Sequence, residues 1–256
     1  MPAISHYDPE WSDQFWRQVS LNRHFDHNLG RQLESAMPSP RRSKADVLRQ
    51  LTSDGLVPVI RAESADIALR IVEALVDGGI RTLEITMTVP DAMGAIRQVA
   101  ERFGTSVLLG AGTVTSRALA EGAIEAGAEF LVTPCVVPDV IAVAKARDVA
   151  VLPGAITPTE VFTAWSLGGD IIKIFPASNV GGASYLKALK GPFPQIPLCP
   201  TGGVNLQTIG DFVKAGAAAV GVGGELVSKA AIDDGDFAQI TALARQYVAA
   251  LAAARA

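Results

Sequence analysis

Short apolar runs alternate with amphipathic stretches from about residue 45 to the end of the chain. Segments between the runs carry apolar residues at helical spacing, as at Ile67, Ile71, Ala74 and Leu75, and end in glycine-rich breaks. Most runs are apolar on both faces, which is typical of parallel strands covered by helices. Eight runs are predicted strands: LVPVIRA (56–62), RTLEITM (81–87), SVLLGAGT (106–113), EFLVTP (129–134), AVLPGA (150–155), DIIKIFPA (170–177), IPLCPTGG (196–203) and AAVGVGGE (218–225).

The regular order of strand and helix predicts an α/β fold, a compact (β/α)8 TIM barrel over residues 45–256. A doubly wound open sheet is the alternative. Residues 1–44 differ in composition and form a predicted N-terminal extension, helical or poorly ordered. Its histidines at 24 and 27, in HFDH, are interpreted as surface residues in one helix turn rather than as a metal site.

Composition excludes several classes of protein. Hydrophobic residues make up 49% of the chain, the mean hydropathy is +0.28 and the net charge is -4, so a core is available while a basic nucleic-acid-binding face is not. No apolar run reaches the roughly 18 residues of a membrane span, and the N-terminus lacks the apolar segment of a signal peptide. Cys135 and Cys199 lie in separate apolar segments and make no disulfide framework. We therefore expect a cytoplasmic protein.

One lysine stands inside an apolar strand. In GGDIIKIFPAS (168–178), Lys173 is flanked by Ile172 and Ile174, with Phe175 next. Lysine is almost never fully buried unless it is paired or reactive, because removing an ammonium from water costs several kcal/mol. The position of Lys173 therefore indicates either a structural ion pair, with Glu84 as a candidate partner, or a chemical role.

Polar residues and glycines at the carboxyl ends of the strands are the candidate site, since barrel enzymes place their chemistry there. Each has an ordinary structural alternative: an acid on the outer face, an arginine in solvent, a threonine helix cap, or a glycine needed only for a tight turn. Their convergence on one mouth favours a functional role. The candidates are Arg61, Glu84, Thr113, Pro134, Lys173, Phe175, Thr201, Gly202, Gly203, Gly223 and Gly224.

A lysine held in an apolar strand favours Schiff-base chemistry. Burial disfavours the charged form of an amine, and a neutral amine attacks ketones. The resulting iminium stabilises a carbanion at the adjacent carbon, as cleavage of a carbon–carbon bond beside a keto group requires. No histidine follows residue 28, so Glu84 is the candidate acid and base, and no metal site or cofactor is expected. The TGGV and GVGGE turns are candidate phosphate sites.

The motifs KIFPAS, LEITMTVPDA, LLGAGTV, KGPFPQIPLCPTGGVNL and AVGVGGEL together resemble the KDPG/KHG aldolases, over about residues 46–250. This resemblance implies a class I aldolase on a small barrel, usually trimeric, that releases pyruvate without a metal.

The resemblance also implies roles for individual residues. The Schiff-base lysine falls on Lys173, the acid/base glutamate on Glu84 and the arginine that holds the pyruvate carboxylate on Arg61. Thr113 and Pro134 match the family threonine and proline. Phe175 is expected beside the substrate, with Thr201, Gly202, Gly203, Gly223 and Gly224 at its distal or phosphate end.

Two departures from the family pattern bear on the substrate. Thr88 stands where some members carry an arginine, so carboxylate binding rests on Arg61. Glu225 follows Gly224 where some phosphate-specific members have serine, which leaves 4-hydroxy-2-oxoglutarate as a competitor of the phosphorylated substrate. A phosphosugar isomerase or epimerase and a non-catalytic trimeric relative are the alternative functions.

Overall fold

The computed structural model describes residues 42–256. The predictions for residues 1–41, including the HFDH segment, lie outside these described residues. The first element is helix α1 (Lys44–Asp54), which begins at its N-cap Ser43 and ends at Gly55 with a left-handed φ of 65°. The boundary expected at residue 44/45 therefore falls at the start of a helix.

Strands and helices alternate from α1 onward, and all eight predicted strand regions contain strands. The strands are β1 (Leu56–Ile60), β2 (Thr82–Thr86), β3 (Leu108–Gly112), β4 (Phe130–Val132), β5 (Ala150–Leu152), β6 (Gly154–Ala155), β7 (Ile172–Ile174), β8 (Leu198–Pro200) and β9 (Val220–Val222). The helices are α2 (Ala65–Asp77), α3 (Ala92–Phe103), α4 (Arg117–Ala126), α5 (Pro138–Ala146), α6 (Pro158–Leu167), α7 (Gly182–Lys190), α8 (Ile209–Lys214), α9 (Lys229–Asp233) and α10 (Phe237–Arg255).

All strand pairings are parallel, and the α/β class predicted from the sequence is confirmed. One sheet has the order β5-β4-β3-β2-β1-β9 and a second the order β6-β7-β8. Pro153 alone separates β5 from β6, so the fifth predicted strand is divided at a residue that has no backbone N–H to donate. Between β8 and β9 there is a single bridge, from Thr201 to Gly221.

The strands are buried on both faces and contribute to two separate clusters. The outer cluster joins alternate strand residues, such as Leu83 and Ile85, to the helices. The inner cluster consists of strand residues such as Val57, Leu108 and Phe130, together with residues of α1. This division follows from the period of two along a strand and explains the continuous apolar runs in the sequence.

Helix α1 covers the amino-terminal ends of the strands. Its Leu51 is fully buried in the inner cluster. Polar contacts hold it at this end: Lys44 pairs with Asp170 just before β7 at 2.9 Å, and Thr82 at the start of β2 donates to Asp54. The amino-terminal end of the inner face is thereby filled, and the carboxyl end is left for a site. None of the helices in the described residues is long and apolar enough to cross a membrane.

Candidate active site

Lys173 and Glu84 meet on the inner face of the strands. Lys173 is the middle residue of β7 and Glu84 the middle residue of β2; the residues are 7% and 2% exposed. Lys173 Nζ lies 3.7 Å from Glu84 Oε1, which is within ion-pair range but too long for a hydrogen bond. The outer-face alternative for Glu84 is therefore wrong, and the structure brings together the two residues that the sequence singled out.

The Glu84 carboxylate has a free acceptor. Its Oε1 is buried and accepts no hydrogen bond from the residues that the structure describes. Buried carboxylates normally have their oxygens paired, because an unpaired buried acceptor costs about 1–3 kcal/mol. An acceptor kept free beside an amine is suited to take a proton from a bound molecule.

A thiol and an aromatic ring flank the lysine. Lys173 Nζ lies 5.4 Å from the centroid of the Phe175 ring, and Cys199 is the register partner of Lys173 on β8. Burial raises the pKa of the Cys199 thiol to about 12, although the charge of Lys173 acts in the opposite direction. The thiol is therefore uncharged at neutral pH. Cys199 was not among the candidate site residues predicted from the sequence; its signal was the position two residues before Thr201, which places both side chains on the same side of an extended chain.

Gly112 allows the Glu84 side chain to reach its position. A Cβ at Gly112 would lie 2.7 Å from Glu84 Oε1 and 3.2 Å from Thr86 Cγ2. The run SVLLGAGT (106–113) was predicted to be a strand, and Gly112 was not among the candidate site residues. The signal in the sequence was the spacing of Gly110 and Gly112, which puts two glycines on one face of β3.

Thr113 and Pro134 lie at the carboxyl ends of β3 and β4. Thr113 has a φ of 57°, in the left-handed region where β-branched residues are genuine outliers. The Pro134 carbonyl approaches β6 so closely that a Cβ at Gly154 would lie 2.4 Å from it. Gly154 is the register partner of Lys173, so this close approach lies directly beside the lysine.

Arg61 lies beside the turn that follows β9. It is exposed at the end of β1 and lines a cavity of about 390 Å³ with Thr88, Gly224 and Lys229. Its Nη1 is 3.4 Å from the position that a Gly223 Cβ would take. Within the described part of the chain no hydrogen bond or ion pair joins Arg61 to Lys173 or Glu84. The structure thus groups Arg61 with the glycines after β9.

The TGG turn packs against the segment that follows β7. Thr201 is buried; its N–H donates to the Ile174 carbonyl at 2.9 Å. Gly202 and Gly203 have φ values of 92° and 74°, and a Cβ on Gly203 would lie 2.3 Å from that of Ser178. Both glycines are required, the first by conformation and the second by conformation and close approach.

Potential metal ligands are dispersed over this part of the chain. Between residues 42 and 256 no group of three or more His, Cys, Asp or Glu side chains is arranged to hold a metal ion.

Comparison with known proteins extends the resemblance. A model of the family described as KDPG and KHG aldolase matches residues 47–243. The 2-dehydro-3-deoxy-phosphogluconate aldolase of Dickeya dadantii is 36% identical over 199 residues, 78% of this chain and 93% of that protein. The KHG/KDPG aldolase of Escherichia coli is 34% identical over 198 residues, 77% of this chain and 92% of that protein.

Among solved structures, the KDPG aldolase of Legionella pneumophila, with pyruvate captured as a covalent carbinolamine intermediate, is 30% identical. It superposes with a TM-score of 0.71 over 80% of this chain and 98% of that one. The family match extends from α1 to α10 and includes both Lys173 and Glu84. The chain belongs to the KDPG and KHG aldolase family.

Proposed function

We propose that this protein is a class I aldolase. Its proposed substrate is 2-dehydro-3-deoxy-6-phosphogluconate, cleaved to pyruvate and glyceraldehyde 3-phosphate, or 4-hydroxy-2-oxoglutarate, cleaved to pyruvate and glyoxylate. The observation that carries the proposal is the buried pair, with Lys173 Nζ at 3.7 Å from Glu84 Oε1. The named relatives act as KDPG or KHG aldolases, and one was captured with pyruvate as a carbinolamine.

The proposed chemistry uses the amine as a covalent catalyst and needs no added cofactor or metal. Neutral Lys173 attacks the C2 keto carbon, and the carbinolamine loses water to give an iminium. Glu84 accepts the proton of the C4 hydroxyl as the C3–C4 bond breaks; the aldehyde leaves and the electron pair forms an enamine. Glu84 then returns the proton to C3, and water hydrolyses the iminium to release pyruvate and the free amine.

The same proposal includes a closed (β/α)8 barrel around the pair. Two contacts support closure at the gaps between the two sheets. The Lys173 N–H on β7 donates at 2.9 Å to the carbonyl of Pro153, the residue that separates β5 from β6. The Ala218 N–H donates to the Leu198 carbonyl at 2.9 Å, beside the bridge from Thr201 to Gly221.

The proposed substrate contacts lie at the carboxyl ends of the strands. Arg61 holds the pyruvate carboxylate, with Thr113, Pro134 and Phe175 beside the reacting carbons. Phe175 is supported by its ring, 5.4 Å from Lys173 Nζ, and Arg61 by its place in the cavity at the end of β1. The distal or phosphate end lies at Thr201, Gly202, Gly203, Gly223 and Gly224.

The identity of the distal group depends on Glu225. This residue is exposed in the turn after β9. Burial, and after it the charge of Glu225, raise the pKa of Tyr247 on α10 to about 12. Glu225 would repel a phosphate bound at the neighbouring glycine amides, so 4-hydroxy-2-oxoglutarate stays a competing substrate in this proposal.

The proposal includes a cytoplasmic homotrimer. An exposed aromatic surface supports self-association: Phe162 on α6 is 53% exposed and stacks on Phe193 with ring centroids 6.0 Å apart. Leu167, at the end of α6, is also exposed. Light scattering coupled to size exclusion tests this part, and Phe162→Glu is expected to shift the mass toward the monomer.

The first experiment is intact mass after incubation with pyruvate and sodium borohydride. One reduced pyruvate adduct, mapped to Lys173 and absent from Lys173→Ala, is the expected result. A folded protein with no adduct would instead favour the isomerase, epimerase or non-catalytic alternatives. Pyruvate release from the phosphorylated acid and from 4-hydroxy-2-oxoglutarate, compared at equal concentration, then identifies the substrate.

A further inference from the structure

Gly112 is the residue on β3 whose missing side chain leaves room for the Glu84 carboxylate. An added Cβ would lie 2.7 Å from Glu84 Oε1 and 2.9 Å from its Cδ. Real Cβ atoms essentially never approach other atoms below 3.0 Å, so a side chain at 112 forces one neighbour to move. Gly112 is inside a strand and not at a positive φ, so its conformation does not account for the glycine.

The neighbours of Gly112 differ in their freedom to move. Thr86 is fully buried, and its Oγ1 donates to the Ile60 carbonyl at 3.0 Å and contacts Thr88 Oγ1 at 2.6 Å. The Glu84 Oε1 atom accepts no hydrogen bond among the described residues, and it is the far end of a flexible side chain. A methyl group at 112 therefore displaces the carboxylate before it displaces the threonine.

We infer that Gly112 is a positioning residue, whose lack of a side chain holds the Glu84 carboxylate at the distance from Lys173 that proton transfer requires. The inference rests on the proposed aldolase function. A shift of about 1 Å in a catalytic group can cost 100-fold in rate, although the same shift costs little stability when only a side-chain end moves. Gly112→Ala is thus expected to slow the reaction while leaving the stability of the fold nearly unchanged.

The test compares Gly112→Ala with wild type and with Gly210→Ala. Position 210 is a matched control, because a Cβ there has its nearest contact at an ordinary 3.9 Å, from Ala254 Cβ in α10. The readout is exchange of the pyruvate methyl hydrogens in D2O, a proton transfer made through the enamine. Gly112→Ala is expected to exchange about 10- to 100-fold more slowly, while prolonged borohydride trapping still labels Lys173. Gly210→Ala is expected to exchange like wild type.

Glu84→Asp supplies the conservative variant, since its shorter side chain withdraws the carboxylate from the added methyl group. Glu84→Asp should slow exchange by a smaller factor in the Gly112→Ala background than in wild type. The inference is overturned if Glu84→Asp slows the exchange by the same factor in both backgrounds. It is also overturned if Gly112→Ala exchanges the pyruvate hydrogens as fast as wild type. If Gly112→Ala melts well below wild type, adding Glu84→Asp should restore the melting temperature. A double variant that still melts low overturns the inference. A wild type without adduct or exchange instead overturns the proposed function and the inference with it.

Discussion

The stability cost of the Lys173–Glu84 pair can be measured by removing its members singly and together. The proposed variants are Lys173→Met, Glu84→Gln and the double variant, which keep the side-chain volumes close to the originals. The two side chains are 9% and 2% exposed, so whichever group remains after a single substitution is still shielded from water.

The separation of 3.7 Å gives the magnitude. With an effective dielectric constant of about 20, the attraction between the two charges is about 4 kcal/mol. Desolvation of the two ions costs several kcal/mol each, so the complete pair contributes about nothing, or is unfavourable, compared with an uncharged pair of the same volume. Removing the lysine alone leaves the carboxylate uncompensated and is expected to cost about 3–5 kcal/mol.

Urea unfolding followed by circular dichroism is the assay, with turnover measured on the same samples. Lys173→Met is expected to lower the free energy of unfolding, and the double variant to recover it or to exceed the wild type by about 1–4 kcal/mol. All variants lacking Lys173 are expected to show no turnover. A double variant that is stable and inactive indicates a pair kept for chemistry rather than for folding. Lys173→Met with wild-type stability would refute the reasoning, because Glu84 would then not be a buried charge.

Three further predictions concern other parts of the molecule. Leu51→Ala, in the helix that fills the amino-terminal end, is expected to lose about 2–5 kcal/mol in urea unfolding without changing KM, and unaltered stability would contradict its packing. Arg61→Leu is expected to raise the KM for pyruvate in the synthetic direction about 10- to 100-fold, whereas the exposed Arg97→Leu is not; equal KM values would remove Arg61 from the carboxylate site. The Cys199 thiol has an ordinary pKa of 9.0 and a folded pKa of about 12, so the unfolded state loses its proton first. Stability should therefore fall as pH rises from 9 toward 12, with a shallower slope for Cys199→Ala, and a slope unchanged by that substitution would contradict this assignment.

Sequence patterns were sufficient for the fold class and for the central pair. Continuous apolar runs separated by helical spacing predicted parallel strands, and each run contains at least one. Lys173 was recognisable because a charge inside an apolar strand contradicts its surroundings, and Glu84 was selected as its partner because no histidine follows residue 28. The strand and lysine patterns are local: they depend on residues adjacent along the chain.

The rest of the site was decided by contacts between residues far apart in the sequence. Gly112 is significant only because Glu84 lies on the adjacent strand and its carboxylate reaches the missing side chain's place. Cys199 is significant only because parallel register places it beside Lys173. The role of α1 in filling the amino-terminal end likewise depends on strands that follow it. Register and curvature of the sheet set these distances, and no local periodicity encodes them. The sequence by itself therefore determined the elements and the two charged residues of the central pair, whereas the tertiary structure decided which neighbours surround that pair.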